Sequence, residues 1–468
     1  MQSVSSHPVY GKIVARSTGE GVAMRQERGL IELFADDPER ADALVFGRRV
    51  DRSRRGFLKG AGLAAMSAAL GGVIPFARYM PGGLIPVGLI PRARAQEQAA
   101  EPKLLEMPGK APLLIIQERP LVAETPAHML DDDVTPNDKY FIRNNGLSPE
   151  APADPEAWKV TVDGEVNKPL ELALGDLERR FASVSYQLQL ECGGNGRAFF
   201  VPETRGNQFG HGAIGNAEWS GVRLKDVLKA AGLKPGAVYT AHYGADRHLS
   251  GDPGKLALSR GVRLEKAMEE HTLIALRMNG QPIPPIHGGP ARLIVPGWPG
   301  SASQKWLTRI SIRDREHNGP GMTGFSYRLP MTPIVPGSKG DETKTRILES
   351  MPVRSIITNI ANGTRLAAGT RTLAVRGAAW AGEKTVRALD VSIDYGQTWA
   401  PAQLAKPANA YAWQRWRTSI RLPTFGYYEI WARATDSDGK MQPPVAPDWN
   451  PQGYGGNPFH RVAILAEA

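Results

Sequence analysis

Cysteine is almost absent: Cys192 is the only one in 468 residues. A lone thiol excludes an intramolecular disulfide, a C-x-x-C-H haem attachment and a four-cysteine iron–sulfur or zinc site. Long, strongly apolar runs are also missing. The uncharged stretch Gly60–Ala77 is rich in Gly and Ala and is broken by Pro75, which makes it a poor membrane span. Nor is the charge strongly one-sided. The formal net charge is +10, but residues 1–95 hold 14 basic and 8 acidic residues, leaving 43 against 39 in the rest. That mild excess is not the footprint of a nucleic-acid binder, and it suits anionic ligands or an acidic partner.

The N-terminal excess has a local cause. Ser53-Arg54-Arg55-Gly56-Phe57-Leu58-Lys59 sets an arginine pair ahead of the uncharged run, and Ala93-Arg94-Ala95 follows as a small-x-small cleavage pattern. The three parts together predict a twin-arginine export signal. Residues 1–95 then form an extension plus signal peptide, cleaved near Ala95-Gln96, and the mature chain is periplasmic without a membrane anchor. Because this route carries folded proteins, it fits a cofactor inserted before export.

Residues 96–138 are rich in Pro and Glu and read as an extended arm. Residues 139–330 read as an α+β domain. Val184, Tyr186, Leu188 and Leu190 alternate with polar residues as in a strand, and Cys192 shares their parity at its end. Leu224, Val227, Leu228 and Ala231 fall on one face of a helix that Gly232 stops. The punctuated stretch Pro330–Gly340 reads as a linker. In residues 341–468, Leu389, Val391, Ile393 and Tyr395, and then Tyr428, Ile430, Ala432 and Ala434, alternate with polar or outward positions. Short alternating strands over that length predict an all-β, immunoglobulin-like sandwich.

Cys192 sits in the loop Glu191-Cys192-Gly193-Gly194-Asn195-Gly196-Arg197. Glycines allow close approach to a ligand, and a nearby cation favours the thiolate, which is both a nucleophile and a soft metal ligand. As a nucleophile it would want a histidine base, for which His211, His242, His248, His271 and His287 are available. As a ligand it would complete the shell of a metal brought by its own cofactor. A buried, inert thiol is the bland reading. Arg143, Arg197, Arg247, Arg292 and Lys305 are candidates for an anion pocket.

Leu190-Glu191-Cys192-Gly193-Gly194-Asn195, Gly212–Val222, Met278-Asn279-Gly280-Gln281-Pro282, His287–Arg292 and Lys305-Trp306 together resemble the sulfite oxidase family of molybdenum enzymes. Trp449–Tyr454 resembles that family's dimerisation domain. The resemblance implies a molybdopterin-binding catalytic domain at 139–330, a dimerisation sandwich at 341–468, a molybdenum–molybdopterin cofactor and no haem. It makes Cys192 the protein ligand to the metal, and Cys192, Arg143 and Arg197 the catalytic set. Phe141, Arg143, Asn144, Asn145, His287, Arg292, Ser303, Gln304 and Lys305 match cofactor-binding positions. Asp246 matches a further pterin contact, with Asp252 as the alternative.

Three positions depart from the family pattern: Asn145 replaces a histidine, Gly196 an arginine and Met322 an active-site tyrosine. Losing the arginine and the tyrosine argues for a larger or less charged substrate than free sulfite. With the export signal, the pattern resembles the sulfane dehydrogenase catalytic subunits of Sox sulfur-oxidation systems. That implies sulfane sulfur on a carrier protein as substrate, a separate c-type cytochrome as acceptor and a homodimer. A sulfite dehydrogenase, a cysteine hydrolase and a cofactor-free binding module are the alternatives. A methionine sulfoxide reductase shares part of this fold but lacks the C-terminal sandwich.

Overall fold

The computed structural model describes residues 37–41, 102–150, 152 and 154–468. The arginine pair and the expected cleavage point lie outside the described residues. Among those described, no helix is long and apolar enough to cross a membrane.

The first domain is built on two five-stranded sheets. One runs in the order Gln281–Pro282, Leu273–Met278, Ile214–Arg223, Ser183–Glu191, with Arg292–Ile294 also pairing Leu273–Met278. The other runs Leu170–Ala173, Lys159–Gly164, Leu307–Arg313, Tyr239–Gly244, Ser259–Arg260. Helix Leu224–Ala231 buries the predicted face, and Gly232 caps it at φ 68°. Its Leu224, Val227 and Leu228 join Val160, Leu172, Ile274 and Ile310 in one apolar core. Each such fully buried side chain stabilises by about 1.5–3 kcal/mol.

The strand Ser183–Glu191 shows why alternation was legible and where it stops. Ser183 and Ser185 are exposed and Leu188 and Leu190 are buried, yet Gln189 and Glu191 are buried as well. The second domain lies over that outer face: Tyr411 O accepts from Gln189 N at 2.9 Å, and Trp380 and Arg354 close on Glu191.

Residues 354–466 form the expected sandwich. A sheet of Arg354–Ile357, Thr372–Trp380, Gln414–Arg421 and Gln403–Leu404 faces one of Thr364–Arg365, His460–Ala466, Gly426–Asp436, Val386–Ser392 and Ala400–Pro401. Val375, Trp416, Leu389, Val391, Tyr428, Ile430 and Ile464 fill the space between.

Two connecting segments differ from expectation. The stretch read as an arm is partly a sheet: Leu114–Gln117, Val122–Glu124 and Ile142–Arg143 pair in order, with Leu113, Val122 and Ala123 buried. The stretch read as a linker is the loop of a hairpin, closed at its base where Arg328–Pro330 pairs with Thr345–Ile347. Apolar burial in the first case and ladder pairing in the second overrode the Pro-rich composition.

Candidate active site

Cys192 follows directly on the strand Ser183–Glu191. Its N–H donates to Ala213 O at 2.9 Å, and its carbonyl accepts from Asn195 N at 2.9 Å, closing a tight turn. Glu191 anchors that turn from below. Its carboxylate accepts from Asn195 Nδ2 at 2.9 Å and Trp380 Nε1 at 2.7 Å, and pairs with Arg354 Nε at 2.7 Å. Gly196 stands at φ 80°, and a Cβ there would lie 2.1 Å from Gly456 O and 2.9 Å from an Arg354 nitrogen. The missing arginine at this position therefore has a steric cause: the second domain occupies its place.

Cys192, buried at 6% exposure, lies in the wall of a cavity. Phe141, Arg143, Asn144, Asn145, Asp246, Arg292, Ser303, Gln304 and Lys305 line it with Cys192. Asp252 instead caps Gly254 N in an exposed loop; of the two aspartates, Asp246 is the one that lines the cavity.

Arg197 and His287, both expected at the site, do not line the cavity. Arg197 donates through Nε to Gln452 O at 2.7 Å and through one terminal nitrogen to Asn207 O at 2.8 Å, and lies over the Tyr454 ring. Through Gln452 O and the Tyr454 ring it ties the cysteine loop to the second domain, while Asn207 O holds it from within the first. His287 sits one layer back, its carbonyl accepting from Arg292 at 2.9 Å. None of the five candidate histidine bases lines the cavity beside Cys192. His242 bonds Thr240, His248 bonds Ser250 on the surface, His211 packs against His460, and His271 packs against Tyr186. The cysteine hydrolase reading fails on that geometry.

Met322 is buried in the core with Tyr239 and Ile347. A phenol is present all the same. Tyr327 lines the cavity, its hydroxyl 3.5 Å from Asn145 Oδ1, and its ring is stacked between Arg260 and Tyr454 at 4.8 and 5.0 Å. The tyrosine expected to be lost is thus supplied five residues later. Sequence spacing gave no signal for it; Tyr327 stands at a positive φ of 51°.

Electrostatics define what the cavity accepts. Lys305 Nζ donates to Asn144 Oδ1 and Ile286 O, both at 2.7 Å, and burial followed by the charges of Arg292 and Arg143 holds its pKa well below the usual lysine range. Burial lowers Arg292 to about 10 and Lys110 to about 7, and drives His287 far below its ordinary value. Among the carboxylates, Asp138 opposes this at Lys110 and Asp246 at Lys305; Asp246 is itself raised by burial to about 6. Cations this deep with so little counter-charge call for an anion. Gln304, in the cavity wall, has its Oε1 buried without a protein partner, as an acceptor for a polar ligand would be; His287 Nδ1, one layer back, is likewise unpartnered. Among the described residues no group of three or more His, Cys, Asp or Glu could cage a metal, and Cys192 brings a soft sulfur donor to the cavity wall. These features fit a large anionic cofactor that carries its own metal ligands.

Residues 147–320 match the family model described as the oxidoreductase molybdopterin binding domain, and residues 345–467 match the Mo-co oxidoreductase dimerisation domain. The sulfite oxidase of Gallus gallus is 32% identical over 381 residues, covering 79% of this chain and 81% of the relative. The mitochondrial sulfite oxidase of Homo sapiens is 34% identical over 370 residues; the match covers 75% of this chain but 65% of the human protein. Among solved structures, the sulfane dehydrogenase SoxCD from Paracoccus pantotrophus superposes with a TM-score of 0.63 over 85% of this chain and 100% of that one, at 24% identity.

Proposed function

The chain belongs to the sulfite oxidase family of molybdenum oxidoreductases, and from that premise we propose that it is a periplasmic enzyme that oxidises sulfane sulfur held on a carrier protein and passes the electrons to a c-type cytochrome. One observation carries the enzymatic reading: the Cys192 thiol opens into a cavity walled by buried cations with too few carboxylates to balance them. When bound, the molybdenum–pterin group supplies two-electron oxidation of sulfur with oxygen transfer. Water is the source of each oxygen, two protons are released, and the cytochrome takes the electrons one at a time.

The residues divide by position. Cys192 holds the metal and is itself held by the Glu191 turn. Lys305 and Arg292 surround the anionic end of the cofactor with His287 behind them, while Asn144, Asp246, Ser303 and Gln304 contact its ring system. Arg143 and Tyr327 face the substrate, the guanidinium pairing with the anionic sulfur group and the phenol donating to it as charge builds. Arg197 acts at a distance, by keeping the cysteine loop docked on the second domain.

The carrier-bound substrate is supported by Gly196, which leaves the cavity without the family's second arginine, and by the fold shared with the sulfane dehydrogenase. A homodimer through the sandwich is supported by the dimerisation-domain match. Free sulfite is the second reading, favoured by Tyr327 in the cavity and by the sulfite oxidases among the relatives. Steady-state oxidation of sulfite and of a cysteine-bound sulfane on a carrier separates them. A higher kcat/KM with the carrier supports the proposal, and turnover of sulfite alone overturns it.

A further inference from the structure

Lys110 lies in the stretch read as an arm, yet its side chain turns inward against the cofactor-site wall. Nζ donates to Asn137 O at 2.6 Å and Tyr140 O at 2.7 Å, and lies 3.1 Å from Nε2 of His287. Below its lowered pKa of about 7 the Lys110 amine is an ammonium, with three protons and no lone pair. In that form two protons go to the carbonyls and the third is aimed at Nε2, which accepts it. A neutral imidazole that accepts at Nε2 carries its own proton on Nδ1. The Asn137 carbonyl is also a hydrogen-bond acceptor for this ring, and the Lys110 ammonium, 2.6 Å from the same oxygen, competes for it.

The ring is held neutral by burial first and then by the positive charges of Lys110, Lys305 and Arg292. His287 is 1% exposed, and its Nδ1 has no protein partner. Around it the cations converge: Arg292 donates to the His287 carbonyl and Lys305 to that of Ile286. A buried N–H donor without an acceptor, beside concentrated positive charge, is the complement of an anionic oxygen.

We propose that Lys110 is a positioning residue that fixes His287 as an Nδ1–H donor to an anionic oxygen of the bound cofactor, so that the N-terminal segment is part of the cofactor site. The destination of that donor rests on the molybdenum reading above; the Lys110–His287 relationship does not. It is a role that binds ligand through another residue, in the way that outer partners fix the tautomer of ligating histidines.

The test uses the full chain as wild type, Lys110→Met, Lys110→Arg and His287→Gln. Long-range ¹H–¹⁵N correlation of histidine-labelled protein reads the tautomer, the His287 signals being those lost in His287→Gln. Molybdenum and pterin per chain, followed over time after dilution, read retention. The wild type is expected to show a bare Nε2 and a protonated Nδ1 with or without cofactor. Lys110→Met is expected to lose that bias and to release pterin about tenfold faster, and Lys110→Arg to recover both. Faster release with an unchanged tautomer overturns the proposal, as does unchanged retention in Lys110→Met. A wild type with the expected tautomer but no pterin would instead strike at the enzyme assignment and at the donor's destination.

Discussion

Glu191 and Arg354 form an ion pair at 2.7 Å with both side chains 0% exposed. One partner ends the strand that leads into Cys192, and the other begins the second domain. The pair therefore couples the turn that carries Cys192 to the dimerisation sandwich. Arg354 also donates to Asn195 O at 2.9 Å, inside the cysteine turn itself.

Arg354→Met leaves the Glu191 carboxylate buried without its cation. Stability should fall by about 3–5 kcal/mol, read as a lower thermal midpoint. Glu191→Leu combined with Arg354→Met should be less destabilised than Arg354→Met alone, because no charge is left stranded. Additive losses in the double variant would deny the coupling.

Glu124 gives a pH dependence with a defined sign. Both its oxygens accept from Gly210 N, at 3.1 and 2.9 Å, and one from Gly212 N at 3.2 Å, but burial dominates and raises its pKa from 4.5 to about 7. The folded state thus keeps a proton that the unfolded chain releases. Its contribution is fully present below about pH 4.5 and is lost as pH rises to about 7. Glu124→Gln removes the titration, so its thermal midpoint relative to wild type should climb across that window. A flat difference would place the Glu124 pKa at its ordinary value.

Tyr327 and Met322 separate the geometry from the sequence pattern. Tyr327→Phe should lower kcat/KM about tenfold, the loss of one hydrogen bond to a charged group. Met322→Tyr should restore nothing, and overpacking against Tyr239 and Ile347 should cost about 1–3 kcal/mol. Faster sulfite turnover in Met322→Tyr would show that position 322 reaches the substrate after all.

What the sequence made legible was local. The face Leu224, Val227, Leu228 with Gly232 behind it, and the alternation through Leu188 and Leu190, each follow from the period of one element. Ten of the expected site residues line the cavity, and it was the family resemblance of the motifs around them that pointed there. What stayed hidden was tertiary. Nothing near Gln189 and Glu191 announces that a second domain covers them. Arg197 was expected at the anion site, but the distant Gln452 carbonyl and the nearby Asn207 carbonyl hold it elsewhere, and Tyr327 and Lys110 reach the site or its wall from segments with no motif of their own.

Metal and pterin analysis of the purified full chain, paired with alkylation of Cys192, tests the central claim most directly. The account predicts molybdenum and pterin at one per chain, with the thiol protected until the cofactor is stripped and turnover ending once it is alkylated. Active protein without molybdenum, or a Cys192 that alkylates freely while turnover continues, would contradict it.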